Sequence, residues 1–163
     1  MCSSDLRPAA ITSIVSTALF DAIAKEYNVE SVRVLTGFKY IGEKIHEWEK
    51  DPENSPEFIF GAEESYGYLH GTHSRDKDGI STSCLIAEIA LHLKQQGKTL
   101  VDSLHDLYKK YGVYKEGVIS LAFAAGQEGT KKMQDLMKKL RTNPPEKILD
   151  LQIKETKDFL NTD

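Results

Sequence analysis

An α/β fold is what this sequence predicts: a three-layer domain whose mixed, roughly four-stranded sheet lies between helices, followed by an incomplete C-terminal α+β segment. Three observations carry that expectation. Short runs rich in β-branched residues alternate with stretches whose apolar residues recur at helical spacing. Cap and turn signals fall between them. The chain of 163 residues, 40% hydrophobic and 28% charged, has the make-up of a globular protein that can bury a core without disulfide or metal staples.

The elements follow in order. Ile11-Thr-Ser-Ile-Val-Ser-Thr17 reads as a buried strand, and Thr17 is placed to cap a helix from Ala18 to Tyr27 with Leu19, Ala22, Ile23 and Tyr27 on one face. Val32 to Leu35 is a second strand. Thr36-Gly37 turns into a helix from about Phe38 to Glu49, striped by Phe38, Ile41, Ile45 and Trp48. The Asp51-Pro-Glu-Asn-Ser-Pro56 turn leads to a third strand, Phe58 to Phe60. Gly61 to Gly79, with four glycines, two histidines and a cluster of charges, has no period and reads as a long functional loop. Ile80 to Gln95 is a helix built on Leu85, Ile89 and Leu93, ended by Gly97. Thr99-Leu-Val-Asp102 is a capping box for the next helix, which Gly112 ends. A fourth strand is expected from Gly117 to Phe123 and a last helix from Glu128 to Leu140, stopped by Asn143-Pro-Pro145. Leu149, Leu151 and Ile153 then alternate like a strand.

Charge and composition exclude several classes. With 21 Lys+Arg against 25 Asp+Glu the net charge is −4, which argues against nucleic acid as a partner. No apolar run approaches the roughly 20 residues of a membrane span, and the start has no signal-peptide pattern. Cys2 and Cys84 lie in no metal-ligand spacing and read as free thiols of a reducing, cytoplasmic compartment. His70 and His73 lack further ligands in register, which argues against zinc.

Three segments, each where a strand hands over to a loop, are candidates for chemistry. In Thr36-Gly-Phe-Lys39, Gly37 lets the backbone approach a ligand and the helix start offers free amides to an anion or sugar hydroxyl; the same residues also make an ordinary capped helix beside a solvated Lys39. In Gly61-Ala-Glu-Glu-Ser-Tyr-Gly67, the carboxylates of Glu63 and Glu64 and the hydroxyl of Ser65 suit the vicinal diols of a polyol, acid–base work or a cation; the same residues also suit a polar turn. In Arg75-Asp-Lys-Asp-Gly79, Arg75 and Lys77 can hold a phosphate while Asp78 caps a helix, or the segment is a solvated charged loop.

Taken together and in this order, Thr36-Gly-Phe-Lys-Tyr-Ile41, Phe60-Gly-Ala-Glu-Glu-Ser-Tyr-Gly67 and Arg75-Asp-Lys-Asp-Gly79 resemble the third domain of the α-D-phosphohexomutases, the phosphoglucomutases and phosphomannomutases. Ser13-Ile-Val-Ser-Thr17 and the stretch from Gly97 to Gly112 fit the same family, and the likeness covers about Ala10 to Asp158. It implies a cytoplasmic four-domain isomerase that interconverts sugar 1-phosphates and 6-phosphates. A phosphoserine of the first domain passes its phosphoryl group to the sugar, magnesium held by the second domain supports the transfer, and a loop of the fourth grips phosphate. A glucose 1,6-bisphosphate-type activator is implied with it.

Carried over by position, the resemblance makes Glu63 and Ser65 sugar-hydroxyl contacts, with Glu64 in the same loop. It sets Thr36, Gly37 and Lys39 on the turn facing the sugar, and Arg75 and Lys77 at the phosphate end of the cleft. The Tyr66-Gly67 that follows Ser65 looks like the phosphoglucomutase branch, where much of the family has Gly-His. The chain has neither the family's Ser-His loop nor its Asp-x-Asp-x-Asp loop nor the fourth domain's phosphate loop. Residues 8–113 are therefore expected to be domain III and 114–163 a linker with the truncated start of domain IV. Such a fragment is expected to be inactive alone, with the Met1-Cys-Ser-Ser-Asp-Leu6 start an artefact of a gene fragment. Its partners are then a sugar phosphate and the enzyme's other domains. The apolar residues of its tail (Val118, Ile119, Leu121, Met133, Leu136, Met137, Leu140) invite self-association. The competing expectation is a free-standing sugar-phosphate binding module without catalysis.

Overall fold

A computed structural model describes residues 7–159. Cys2 and the anomalous start lie outside the described residues. The chain divides into two compact units, residues 1–116 and 117–163.

The first unit carries β1 (Pro8–Ser13), α1 (Leu19–Glu26), β2 (Glu30–Val34), α2 (Phe38–Lys50), β3 (Glu57–Glu63), β4 (Gly67–His70), α3 (Gly79–Gln95) and α4 (Leu100–Tyr111). The strands form one mixed sheet in the order β2-β1-β3-β4. β1 is parallel to β2 and to β3, while β3 and β4 form an antiparallel hairpin. The mixed four-stranded sheet among helices is the fold class expected from the sequence.

The core explains why α2 sits where it does. Phe38, Ile41 and Ile45 recur at three and four residues, one helix face, and they close on Ile11, Phe58 and Leu69 of the sheet. Ile11, Ile41 and Leu69 are fully buried. Gly61 of β3 leaves the space that Ile41 fills: a Cβ there would stand 3.0 Å from the Ile41 Cγ2. At the other end of the unit, Thr99 and Asp102 form the expected reciprocal cap of α4. Gly97 and Gly112 take positive φ after α3 and α4, as C-terminal glycines do.

The strand assignments change in two places. β1 begins and ends earlier than the β-branched run suggests, because the chain leaves the sheet after Ser13. The guanidinium of Arg33 donates to the carbonyls of Ser13 and Ser16 at 3.0 Å and of Thr17 at 3.1 Å, so these oxygens are committed to a turn. The Thr17 hydroxyl accepts from the Leu19 N–H at 3.1 Å, one residue from the role expected of it, since Ala18 is the N-cap of α1. The sheet's fourth strand is β4, inside the stretch that reads as a loop, and Gly117 to Phe123, expected as a strand outside that sheet, is not one. That segment has no ladder partner among the described residues.

The second unit consists of α5 (Gln127–Thr142) and a two-stranded hairpin, β5 (Lys147–Ile148) and β6 (Leu151–Gln152), turned by Leu149 at φ 53°. Its size leaves apolar side chains uncovered, and Val118, Ile119, Leu121 and Met133 are all exposed.

The packing of α2 yields a direct test. Ile41→Ala should cost about 2–5 kcal/mol in equilibrium denaturation, because it removes a fully buried side chain of the core cluster that joins α2 to the sheet. Val101→Ala, on an exposed face of α4, should stay within about 0.5 kcal/mol. Equal effects would place the core elsewhere.

Candidate functional site

β3 ends on Glu63, a carboxylate only 7% exposed. A carboxylate so far from water needs a donor. The donor is the backbone N–H of Gly37, 2.7 Å from Oε1. Gly37 is the N-cap of α2 at φ +124°, a backbone conformation that side-chain-bearing residues rarely adopt. The partial positive charge of the helix start falls on the same carboxylate. Strand end and helix start are thus joined by one backbone-to-carboxylate hydrogen bond.

Lys77 reaches the same place from the loop before α3. Its stem lies between Gly67 and Phe38: a Cβ on Gly67 would stand 2.7 Å from the lysine Cδ, and the ammonium is 5.3 Å from the Phe38 ring centre. The hydrogen bond from Nζ to Asp76 Oδ1, 2.8 Å long, raises the lysine pKa, opposed by burial and helped by the charges of Asp76 and Glu63. Lys77 is a permanent cation at neutral pH.

The β3–β4 hairpin tip is a three-residue loop, Glu64-Ser65-Tyr66, with Tyr66 at φ 63°, the left-handed third position that such loops favour. Ser65 and Tyr66 are exposed. Glu64 turns away from Glu63. Its Oε2 accepts from Ser13 Oγ at 2.7 Å and from Ser16 Oγ at 3.2 Å. Burial pushes this carboxyl up, but the hydroxyls of Ser13 and Ser16, with a backbone N–H, outweigh it and hold the pKa below the ordinary 4.5. Those serines stand on the turn that Arg33 fixes, and Arg33 is itself paired with Asp21 at 2.7 Å.

The structure therefore brings Gly37, Glu63, Ser65 and Lys77 to one end of the sheet and sets Glu64 against the β1–α1 turn. Thr36 is exposed beside Gly37, and Lys39 lies over its neighbour Tyr40, 4.7 Å from the ring centre. Arg75 precedes Lys77 by two residues in the same loop. The Arg75 guanidinium pairs with Glu49, near the far end of α2. Sequence reasoning missed Ser13, Ser16 and Arg33 as supports of the site. Their signal is weak, since serines after a strand read as a cap and a lone arginine in a strand as a solvated charge. Among the described residues no group of three or more His, Cys, Asp or Glu side chains is placed to hold a metal. No helix among them is long and apolar enough to cross a membrane.

The Glu64 clamp carries a pH signature. A carboxyl held below its unfolded value stabilises the folded chain above about pH 4.5 and loses that contribution as pH falls through the folded pKa. Ser13→Ala should raise the Glu64 carboxyl in a 13C-detected titration. It should also cost stability at neutral pH, with the difference from the parent shrinking below about pH 4. An unmoved Glu64 titration would show that the serines do not hold it.

Comparison with known proteins agrees with this architecture. The family model described as phosphoglucomutase/phosphomannomutase, alpha/beta/alpha domain III, matches residues 2–111. Phosphoglucomutases of Staphylococcus aureus are similar: that of strain USA300 is 40% identical over 153 residues, 94% of this chain, and that of strain N315 is 39% identical over the same share. The chain spans 27% of the length of these relatives. A crystal structure from Thermus thermophilus, described as a phosphomannomutase, is similar with a TM-score of 0.52 and 25% identity, over 66% of this chain and 22% of that one. With that model matching residues 2–111 and a mixed sheet among helices over the same stretch, the chain belongs to the phosphoglucomutase/phosphomannomutase family, and that stretch corresponds to its α/β/α domain III.

Proposed function

We propose that this chain forms the sugar-reading wall of a phosphohexomutase of the phosphoglucomutase kind, an intramolecular phosphotransferase that interconverts sugar 1-phosphates and 6-phosphates in the cytoplasm. Residues 8–113 are domain III, and 114–163 are the linker and start of domain IV. The nucleophilic phosphoserine, the magnesium ligands and the loop that grips the far phosphate belong to other domains of the same enzyme. A glucose 1,6-bisphosphate-type molecule serves as activator. The residues present here do not fit a cation, because Glu63 and Glu64 are committed to different donors and do not converge.

The observation that carries this reading is the placing, at one sheet end, of a buried carboxylate, Glu63, and a cation, Lys77. Gly37 occupies Oε1 of Glu63 and aims the carboxylate, leaving it a second oxygen that can accept from a sugar hydroxyl. Ser65, exposed at the hairpin tip, adds a hydroxyl that donates or accepts. Lys77 offers positive charge to a phosphoryl group near that sugar, with Lys39 at the rim. Thr36 and Gly37 bring backbone close to the ligand, and Glu64 keeps the loop in register. Ligands of open α/β sheets gather at this end of the strands.

Steady-state kinetics of the intact enzyme test the reading. Glu63→Gln retains an acceptor for the Gly37 N–H and should lower kcat/KM on the order of ten- to a hundredfold, about 1.5–3 kcal/mol of transition-state binding. Ser65→Ala should act in the same direction. This chain alone presents one wall of the cleft and should bind glucose phosphates at about millimolar Kd in NMR titrations. Unchanged kcat/KM in both variants would remove the hairpin loop from the active site. An intact gene product that binds sugar phosphate without isomerising it would establish a binding module instead.

A further inference from the structure

We propose that Arg75 is a positioning residue that bolts the loop of residues 71–78 to α2 and so sets Lys77 over Phe38, and that it does not contact phosphate. The proposal rests on the reading of Lys77 as a site residue. It is carried by the partners that the two terminal nitrogens of Arg75 hold. Its Nη1 donates to the carbonyls of Thr72 at 2.6 Å and Ser74 at 3.2 Å, closing the loop on itself. Its Nη2 donates to Oε1 of Glu49 on α2. Glu49 lies twelve residues beyond Gly37, about 18 Å along the helix axis at 1.5 Å per residue. The guanidinium is thus directed toward the end of α2 opposite the one that holds Glu63.

The Arg75 backbone makes the same attachment from below. Its carbonyl oxygen rests on Gly42 of α2, where a Cβ would stand only 2.7 Å away. Loop and helix therefore meet at backbone distance, with the side chain clamping the contact. The loop is fastened at its other end too. The Asp78 N–H donates to the Tyr68 carbonyl at 2.8 Å, and the Asp78 carboxylate caps α3 by accepting from Ile80 and Ser81. His73 Nε2 lies 2.6 Å from Asp78 Oδ2 and holds that carboxyl far below its usual range. Lys77 stands between these two anchors, two residues after Arg75 and one before Asp78. Its stem passes close to Gly67, and its ammonium lies 5.3 Å from the Phe38 ring centre. A planar fork of five donors can serve two carbonyls and a carboxylate together; an ammonium on a flexible stem cannot hold that geometry.

The test compares Arg75→Gln, Arg75→Lys and Glu49→Gln. In this chain, the Lys77 methylene protons should show the upfield ring-current shift of a stem lying by Phe38. All three variants should lose most of that shift, and amide exchange of Ser74 to Lys77 should quicken. In the intact enzyme, each should lower kcat about ten- to a hundredfold while KM for the sugar phosphate stays within about twofold. Arg75→Gln and Glu49→Gln should be non-additive. A phosphate-binding arginine gives another pattern: KM rises in Arg75→Gln, Arg75→Lys recovers part of it, and Glu49→Gln is silent. That pattern, or a Lys77 shift unmoved in all variants, overturns the proposal. If the chain shows the ring-current losses but Lys77→Ala leaves turnover unchanged, the bolt stands and the assignment of Lys77 to the site fails.

Discussion

One buried carboxylate organises this domain. Glu63 is nearly cut off from water, and a carboxylate in that position is tolerable only against a donor that the fold guarantees. A backbone N–H at a helix start is such a donor. It needs no side-chain entropy, and the helix behind it aims the dipole. The bond from Gly37 consequently ties three distances together: the length of β3, the first residue of α2, and the seating of α2 on the sheet. Ile41 and Ile45 supply the seating, and Gly61 supplies the depth. Packing along α2 thereby decides where the carboxylate points.

Two arginines hold the loops around that centre, and both do so by answering carbonyls. Arg33 collects three carbonyl oxygens of the turn after β1, which in turn presents two serine hydroxyls to Glu64. Arg75 collects two from the loop before α3. Irregular backbone near a site leaves acceptors without ladder partners, and leaving such groups unmet is costly. A guanidinium satisfies several at once and adds a carboxylate partner that fixes its own direction. Cations that look like ligand contacts in a sequence can therefore belong to the scaffold.

How far the sequence could be read follows from which forces act locally. α2 and α4 were legible because apolar period and capping chemistry are written within a few residues: Phe38, Ile41 and Ile45 in one, Thr99 and Asp102 in the other. The candidate loop was legible as a place, since Glu63, Glu64 and Ser65 stand where β3 gives way to its turn. The division of labour within it was not. Glu63 and Glu64 are neighbours of identical chemistry, and only partners 26 and 51 residues away send them in opposite directions. β4 escaped notice because Tyr68-Leu69 is too short a run to announce a strand; its pairing with β3 makes it one. The end of β1 escaped notice for a related reason, since Arg33, on the neighbouring strand, overrules the β-branched propensity of Ile14 and Val15.

The sheet order makes the two ends of this chain unequal. β1 is first among the described strands yet interior in space, and among the described residues it is the only neighbour of β2 and the sole parallel neighbour of β3. Removing Pro8–Ser13 would strand β2 and leave β3 with β4 alone, and an isolated hairpin of that size is marginal in water. The anchoring begins even before the strand, where the Arg7 carbonyl accepts from the Glu57 N–H at 2.8 Å. Cutting after Gly112, by contrast, takes no strand from the sheet. A boundary placed beyond Gly112 leaves the sheet whole, but the upstream one must lie ahead of Arg7.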